Sequence, residues 1–217
     1  MLSYKKFFES KQEIDSICRK YGIQNYTINP DESIDVDVNV DLSNRGLKKI
    51  PLKFRNVRGG FSCEDNQLTS LEGCPQSVGG NFSCHNNKLT SLEGCPQSVG
   101  GSFYCYDNQL TSLEGCPQSV GGHFYCHSNK LTDFDGFPEY WTGVISFSVN
   151  PVQKVLDRFK SDDDDVSKPT WCRVIHLLNE MDVIRGTDII EQRFEEVYYR
   201  MKLEIPENLE VEGYNLI

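Results

Sequence analysis

The sequence predicts an α/β solenoid with a parallel β-sheet on its concave face, an irregular convex side, and helical N- and C-terminal caps. Three observations predict it. A 21-residue unit runs through residues 69–89 (TSLEGCPQSVGGNFSCHNNKL), 90–110 (TSLEGCPQSVGGSFYCYDNQL) and 111–131 (TSLEGCPQSVGGHFYCHSNKL), with sixteen positions identical in all three. A fixed period of this length is the signature of stacked repeats. Each unit holds Phe-x-Cys, which points both side chains to one side of a short strand, and Gly-Gly and Pro, which force a tight return. Apolar residues at helical spacing occur only towards the two ends of the chain.

Residues 1–38 read as an N-terminal helix and strand cap. Tyr4, Phe7, Phe8, Ile14, Ile17, Cys18 and Tyr21 follow helical spacing, with Ser3 as N-cap. Tyr26–Ile28 and the alternation of Ile34, Val36, Val38, Val40 and Leu42 predict strands joined at Asn29-Pro30-Asp31, covering the first open edge of the sheet. Residues 39–156 hold six units. Steps of 21 align Val40, Phe61, Phe82, Phe103, Phe124 and Ile145, and two positions later Leu42, Cys63, Cys84, Cys105, Cys126 and Phe147. Asn66, Asn87, Asn108, Asn129 and Asn150 stand at the strand exit, where an amide can satisfy backbone groups that the turn would strand; Arg45 holds that slot in the first unit. Leu-x-x-Leu follows and fills the core. The first and last units are degenerate, as a stack requires where it meets a cap. With so much Gly and Pro, a unit this short has no room for a regular convex helix, so its convex side is predicted to be extended or one short helical turn. Residues 157–217 read as a C-terminal helical cap. Helices are expected near 151–160, 169–181 and 187–202, with a charged linker at 161–165, a break at Arg185-Gly186 and a returning strand in 209–217.

The unit Phe-x-Cys-x-x-Asn-x-Leu-x-x-Leu resembles the leucine-rich repeat over roughly residues 34–156. Its Asn-x-Leu-Thr-Ser-Leu run with a following Pro is similar to the repeats of YopM- and IpaH-type bacterial effectors. The fuller string LTSLEGCPQSVGG looks closer still to leucine-rich repeat proteins of tailed phages. That resemblance implies a fold and a setting, the cytoplasm of an infected bacterium, and no activity. Effector ligases carry a separate catalytic domain with a cysteine nucleophile. Here only about 60 residues follow the repeats, and Cys172 lies in an apolar helical pattern with Trp171, Val174, Ile175, Leu177 and Leu178, so ligase activity is not carried over.

Composition narrows the function classes. The start, MLSYKKFFESKQ, lacks the apolar core of a secretory signal, and no apolar run reaches membrane-spanning length. The expected compartment is cytoplasmic, with no membrane association. Nine cysteines, an odd count without an export signal, read as small apolar core residues rather than as a disulfide framework. Net charge is −10, distributed as +3 over residues 1–59, −7 over 60–150 and −6 over 151–217. An acidic repeat region argues against nucleic acid, whose phosphates call for clustered Lys and Arg, and favours a protein with a basic or polar surface.

The five variable positions of the unit locate the candidate site. With Phe82 and Cys84 pointing inward, positions 81, 83 and 85 point outward onto the concave face, and 86 and 88 continue it around the Asn turn. Rungs about 4.8 Å apart gather Tyr104, Tyr106, Tyr125, His123 and His127 into one patch, with His85, Asp107 and Glu64 beside it. Stacked aromatics can simply stabilise a sheet. The same slots accept Ser in other units, however, and exposed tyrosines on a rigid sheet form good binding anchors. No metal is expected: His85 and His127 would be roughly 10 Å apart across two rungs, and the cysteines face the other side. No nucleophile–base motif, Walker loop or zinc-protease motif is present. Asp162–Asp165 lacks the spacing and Gly of a calcium loop. The expectation is therefore a non-enzymatic protein-binding module without a cofactor, which sequesters or inhibits a host bacterial protein. Two alternatives are an effector surface on helical residues 171–201 and an enzyme with an unrecognised site in a cap.

Overall fold

The structure is a computed structural model and describes residues 4–159 and 168–217, with side chains from residue 10 to 159 and from 173 onward. The Ser3 cap and the 161–165 linker lie outside the described residues, as do the side chains of Tyr4, Phe7, Phe8, Trp171 and Cys172.

The chain begins with helix α1 (Tyr4–Tyr21), which buries Ile14 and Cys18 and ends at Gly22. Strands β1 (Tyr26–Ile28) and β2 (Ile34–Val36) form an antiparallel hairpin. Two short strands per unit follow: β3 (Val40–Asp41), β4 (Phe54–Val57), β5 (Phe61–Ser62), β6 (Ser77–Val78), β7 (Phe82–Ser83), β8 (Ser98–Val99), β9 (Phe103–Tyr104), β10 (Ser119–Val120), β11 (Phe124–Tyr125), β12 (Tyr140–Trp141) and β13 (Ile145–Ser146). They alternate between two sheets. One is six-stranded and wholly parallel, in the order β13-β11-β9-β7-β5-β3. The other is seven-stranded, in the order β1-β2-β4-β6-β8-β10-β12, and parallel except at the β1–β2 hairpin. The molecule is thus a parallel β-solenoid in which residues 21 apart sit in register.

The six-stranded sheet has the strands and inward Phe-x-Cys pairs that the pattern calls for. The other side of each coil differs from an irregular return: Ser-Val forms a second parallel strand, with Val57, Val78, Val99 and Val120 buried opposite the Phe column. Stacking explains it. Two residues have little strand propensity of their own, but each sits directly on its counterpart one coil away. Gln97 N donates to Gln76 O (2.8 Å) and Gly100 N to Val78 O (2.8 Å). The paired glycines form the corner between the two sheets. A Cβ on Gly79 would lie 2.1 Å from Arg58 O, and one on Gly100 2.3 Å from Gly79 O. Adjacent coils therefore touch backbone to backbone at this corner.

The core is made of columns. Phe61, Phe82, Phe103 and Phe124 stack at 5.7, 5.6 and 5.3 Å. Cys63, Cys84, Cys105 and Cys126 are fully buried free thiols, Cys74 is buried, and Cys95 and Cys116 are partly covered. Burial pushes the thiols of Cys84, Cys95, Cys105 and Cys126 well up, and that of Cys116 up to about 12. They pack as small apolar groups.

The predicted edge cover also takes a specific form. The β1–β2 hairpin extends the seven-stranded sheet, with β2 as its first parallel rung on β4, whereas the six-stranded sheet ends on β3. After the last coil come α2 (Gln153–Asp157), α3 (Lys168–Glu180), β14 (Ile184–Arg185), β15 (Asp188–Ile189), α4 (Glu191–Met201) and β16 (Asn215–Leu216). Gly186-Thr187 is the turn of the β14–β15 hairpin, one residue beyond the expected break at Arg185-Gly186, and β16 adds parallel to β15, completing a three-stranded sheet. This module is tied to the solenoid: Tyr214 Oη donates to Thr132 O (2.6 Å) and Asn179 Nδ2 to Phe134 O (3.0 Å). No helix among the described residues is long and apolar enough to cross a membrane.

Candidate functional site: an aromatic and histidine strip on the six-stranded sheet

With Phe and Cys inside, the alternate side chains of the six-stranded sheet point out, and three columns form. The first runs Ser62, Ser83, Tyr104, Tyr125, Ser146. The second runs Glu64, His85, Tyr106, His127, Ser148. The third, just before the Phe, runs Asn39, Gly60, Asn81, Ser102, His123, Val144.

The predicted patch comes together. Tyr104 and Tyr125 stack at 5.3 Å with planes 5° apart. His85, Tyr106 and His127 form a three-ring stack at 4.2 and 4.5 Å, both pairs tilted by 16°. Tyr125 joins the columns, with His123 at 5.7 Å and His127 at 6.5 Å, the latter edge to face. His85 Nδ1 is 2.8 Å from Ser83 Oγ and His127 Nδ1 is 3.3 Å from Ser128 Oγ. The Tyr106 phenol is pushed up, first by burial and then by the charges of Asp107, Asp65 and Glu64. His85 is thus part of the stack, not merely beside the patch. By contrast, the seven-stranded sheet turns out Ser77, Ser98 and Ser119 from β6, β8 and β10, and Tyr140 from β12.

Two of the variable positions are less free than comparison of the units implies. In the third column each polar side chain accepts the amide of the next coil. Gly60 N donates to Asn39 Oδ1 (2.8 Å), Ser102 N to Asn81 Oδ1 (2.8 Å), His123 N to Ser102 Oγ (3.0 Å) and Val144 N to His123 Nδ1 (2.8 Å). Asn, Ser and His share one property here, an acceptor at the right reach. His123 is therefore a structural member of a ladder, and its acceptor Nδ1 leaves the ring proton on Nε2. The Asp107 slot is constrained by the backbone: Asn44, Asp65, Asn86, Asp107, Ser128 and Val149 all adopt φ between +50° and +63°. Asn and Asp tolerate that conformation best among non-glycine residues. Ser83 and Ser102 point out but are buried, each beside a larger side chain one coil on, Tyr104 and His123.

Glu64 lies one coil before His85 in the second column. Its Oε2 is buried and has no hydrogen-bond partner. The cysteine columns lie on the opposite side of the sheet. Among the described residues no group of three or more His, Cys, Asp or Glu side chains is arranged to hold a metal ion.

The fold and this strip define a class: a 21-residue parallel β-solenoid with an aromatic and histidine face on one sheet. The chain matches no protein-family model, no curated protein and no solved structure.

Proposed function

We propose that this chain is a non-enzymatic protein-binding module whose partner docks on the solvent side of the six-stranded sheet, the face that the sequence marks as concave. One observation carries the reading. The first and second columns gather five rings into two stacks over three consecutive coils, Tyr104 with Tyr125 and His85 with Tyr106 and His127. The same slots hold Ser62, Ser146 and Ser148 in neighbouring coils that pair in the same register. Rings in those slots are therefore not a requirement of the coil. They supply a wide, rigid amphipathic surface whose side chains are already ordered, so little entropy is lost on binding.

The kinship we propose is with leucine-rich repeat proteins, supported by the Asn at the strand exit and the Leu-x-x-Leu that follows. The LTSLEGCPQSVGG string supports a phage or mobile-element setting, in which the partner is a host bacterial protein that is sequestered or inhibited. The net charge of the repeats favours a partner with a basic or polar surface. Residues 157–217 act as a cap on the last coil, consistent with the Tyr214–Thr132 and Asn179–Phe134 bonds.

Affinity capture from bacterial lysate tests the reading, with wild type set against Tyr104→Ala combined with Tyr125→Ala. The double variant should lose the captured partner while still folding, at a stability cost of about 1 kcal/mol for the lost ring pair. Equal capture by the two proteins excludes this face.

A further inference from the structure

We infer that Glu64 and the adjoining His85 imidazole at the end of the ring stack form a receptor for an arginine side chain of the partner. The inference rests on the proposed docking face and specifies which chemistry that face recognises at its N-terminal end.

Within a stack, each inner ring face is covered by the next ring. In the second column Tyr106 is sandwiched between His85 and His127, at 4.2 and 4.5 Å. The outer faces are left at the two ends. Beyond His127 stands the small Ser148, and beyond His85 stands Glu64. The coils are in register here, since Ser62 pairs with Ser83 and Asp65 N donates to His85 O (3.2 Å). A carboxylate thus adjoins an imidazole face that no other ring covers.

This carboxylate is incomplete. Oε2 of Glu64 is shielded from water and unbonded, and among the described residues no Lys, Arg or His forms an ion pair with Glu64. Arg45, in the first coil, is engaged elsewhere. Its Nη2 donates to Asp41 O (3.3 Å) and its guanidinium lies 5.5 Å from the Tyr21 ring. Asp41 is held by Ser43, through the backbone N (2.9 Å) and Oγ (2.6 Å), and Asp65 accepts from Asn86 Nδ2. These carboxylates have local donors; Glu64 Oε2 has none. The surrounding field is negative, as residues 60–150 carry −7.

A guanidinium suits both halves of this arrangement. Its planar fork bonds a carboxylate through two N–H groups, and its flat face stacks on an aromatic ring. The terminal torsion of a glutamate is soft, so a turn of the carboxyl brings Oε2 out to meet the second N–H. A lysine ammonium would answer the charge but could not stack.

The test is a titration of the full chain with three synthetic peptides, acetyl-Gly-Arg-Gly-Arg-Gly-amide and its lysine and citrulline counterparts, followed through the imidazole proton resonances of His85 and His127. The arginine peptide should move His85 more than His127. It should bind about tenfold more weakly to Glu64→Gln, a change of about 1.4 kcal/mol, and more weakly to His85→Ser, the residue this column carries at Ser43 and Ser148. Neutral citrulline should leave the spectrum unchanged. Equal arginine affinity in wild type and Glu64→Gln, or equal binding of citrulline, overturns the receptor. Loss of lysate capture in the tyrosine double variant, together with no arginine binding by wild type, rejects this inference and leaves the docking face standing. Arginine binding through Glu64, with capture untouched by the tyrosine changes, sustains the receptor and rejects the Tyr104–Tyr125 stack as the docking anchor.

Discussion

Asn108 accepts the backbone amide of Leu89, nineteen residues earlier, on its Oδ1 at 3.0 Å. Its Nδ2 also donates to Cys84 O and Cys105 O, both at 3.1 Å. One buried amide thereby joins a coil to the coil before it and closes its own turn. The relationship recurs at Asn87 with Leu68, Asn129 with Leu110 and Asn150 with Leu131. Removing it strands the Leu89 amide away from water and leaves Cys84 O and Cys105 O with one side-chain donor each, Asn87 Nδ2 and Asn129 Nδ2. Asn108→Ala should cost about 1–3 kcal/mol, the range for one buried polar group left unpaired. Asn108→Asp should be comparably damaging, because a carboxylate cannot donate to the two carbonyls. Urea unfolding measures both. A loss below about 0.5 kcal/mol for either would show that the ladder is replaceable by water.

The glycine corner makes a steric prediction. Gly100 needs no unusual backbone angle, yet a Cβ there would sit 2.3 Å from Gly79 O, a backbone atom held in the stack. Gly186, in the β14–β15 turn, has φ +60° and open space around it. Gly100→Ala should therefore cost about 3 kcal/mol or prevent folding, while Gly186→Ala should cost only about 1 kcal/mol of backbone strain. Thermal melts of the pair decide the point, and equal costs would mean that the coils can separate at the corner.

The Phe-x-Cys strands and the Asn ladder were legible in the sequence because identity itself repeats at both, and because a period-2 pair flanked by a turn residue has few other readings. The second sheet was not legible, and β6 illustrates why. Ser77-Val78 is two residues long and runs straight into Gly79-Gly80, so local signals read as a turn, and strand pairing arises only from register across coils. At the candidate site, comparison of units placed Tyr104, Tyr106, Tyr125, His85 and His127 together correctly but mistook variation for freedom at two slots. Asn81, Ser102 and His123 differ in type and agree in accepting a backbone amide. Asn86, Asp107 and Ser128 differ in type and agree in backbone conformation. At both slots the coils share a role rather than a residue, which an identity-based comparison cannot detect.

Val149 occupies the last left-handed slot, at φ +63° and with 77% of its surface exposed. Asn44, Asp65, Asn86, Asp107 and Ser128 fill the same slot in the earlier coils. A β-branched residue there is strained, and its exposure means that little packing offsets the strain. Val149→Asn should stabilise the protein by about 1 kcal/mol, raising the melting temperature by roughly 2–4 °C. Differential scanning calorimetry reads this directly, and an unchanged or lower midpoint would mean that Val149 makes a compensating contact.

Asp133 stands where the earlier units carry Ser70, Ser91 and Ser112, and does the same job. Ser70 Oγ accepts the amide of Glu72 at 3.0 Å, Ser91 Oγ that of Glu93 at 3.1 Å, and Asp133 Oδ1 that of Asp135 at 3.1 Å. Asp133 is only 8% exposed. Burial raises its pKa above the ordinary value of 3.8, Asp135 and Glu114 add to the rise, and the Asp135 amide and Thr132 hydroxyl oppose it. A raised folded-state pKa means that the folded chain holds the proton more tightly than the unfolded one. The contribution to stability is then fully present below the unfolded value, and is lost as pH rises through the folded one. Asp133→Ser keeps the acceptor and removes the charge. It should stabilise the protein by roughly 0.5–1 kcal/mol near pH 7, with the advantage shrinking as pH falls through the wild-type titration. Unfolding free energies measured from pH 3 to 8 test the sign: a gain that grows towards acid pH would place the ionised carboxylate, not the neutral acid, as the form the fold prefers.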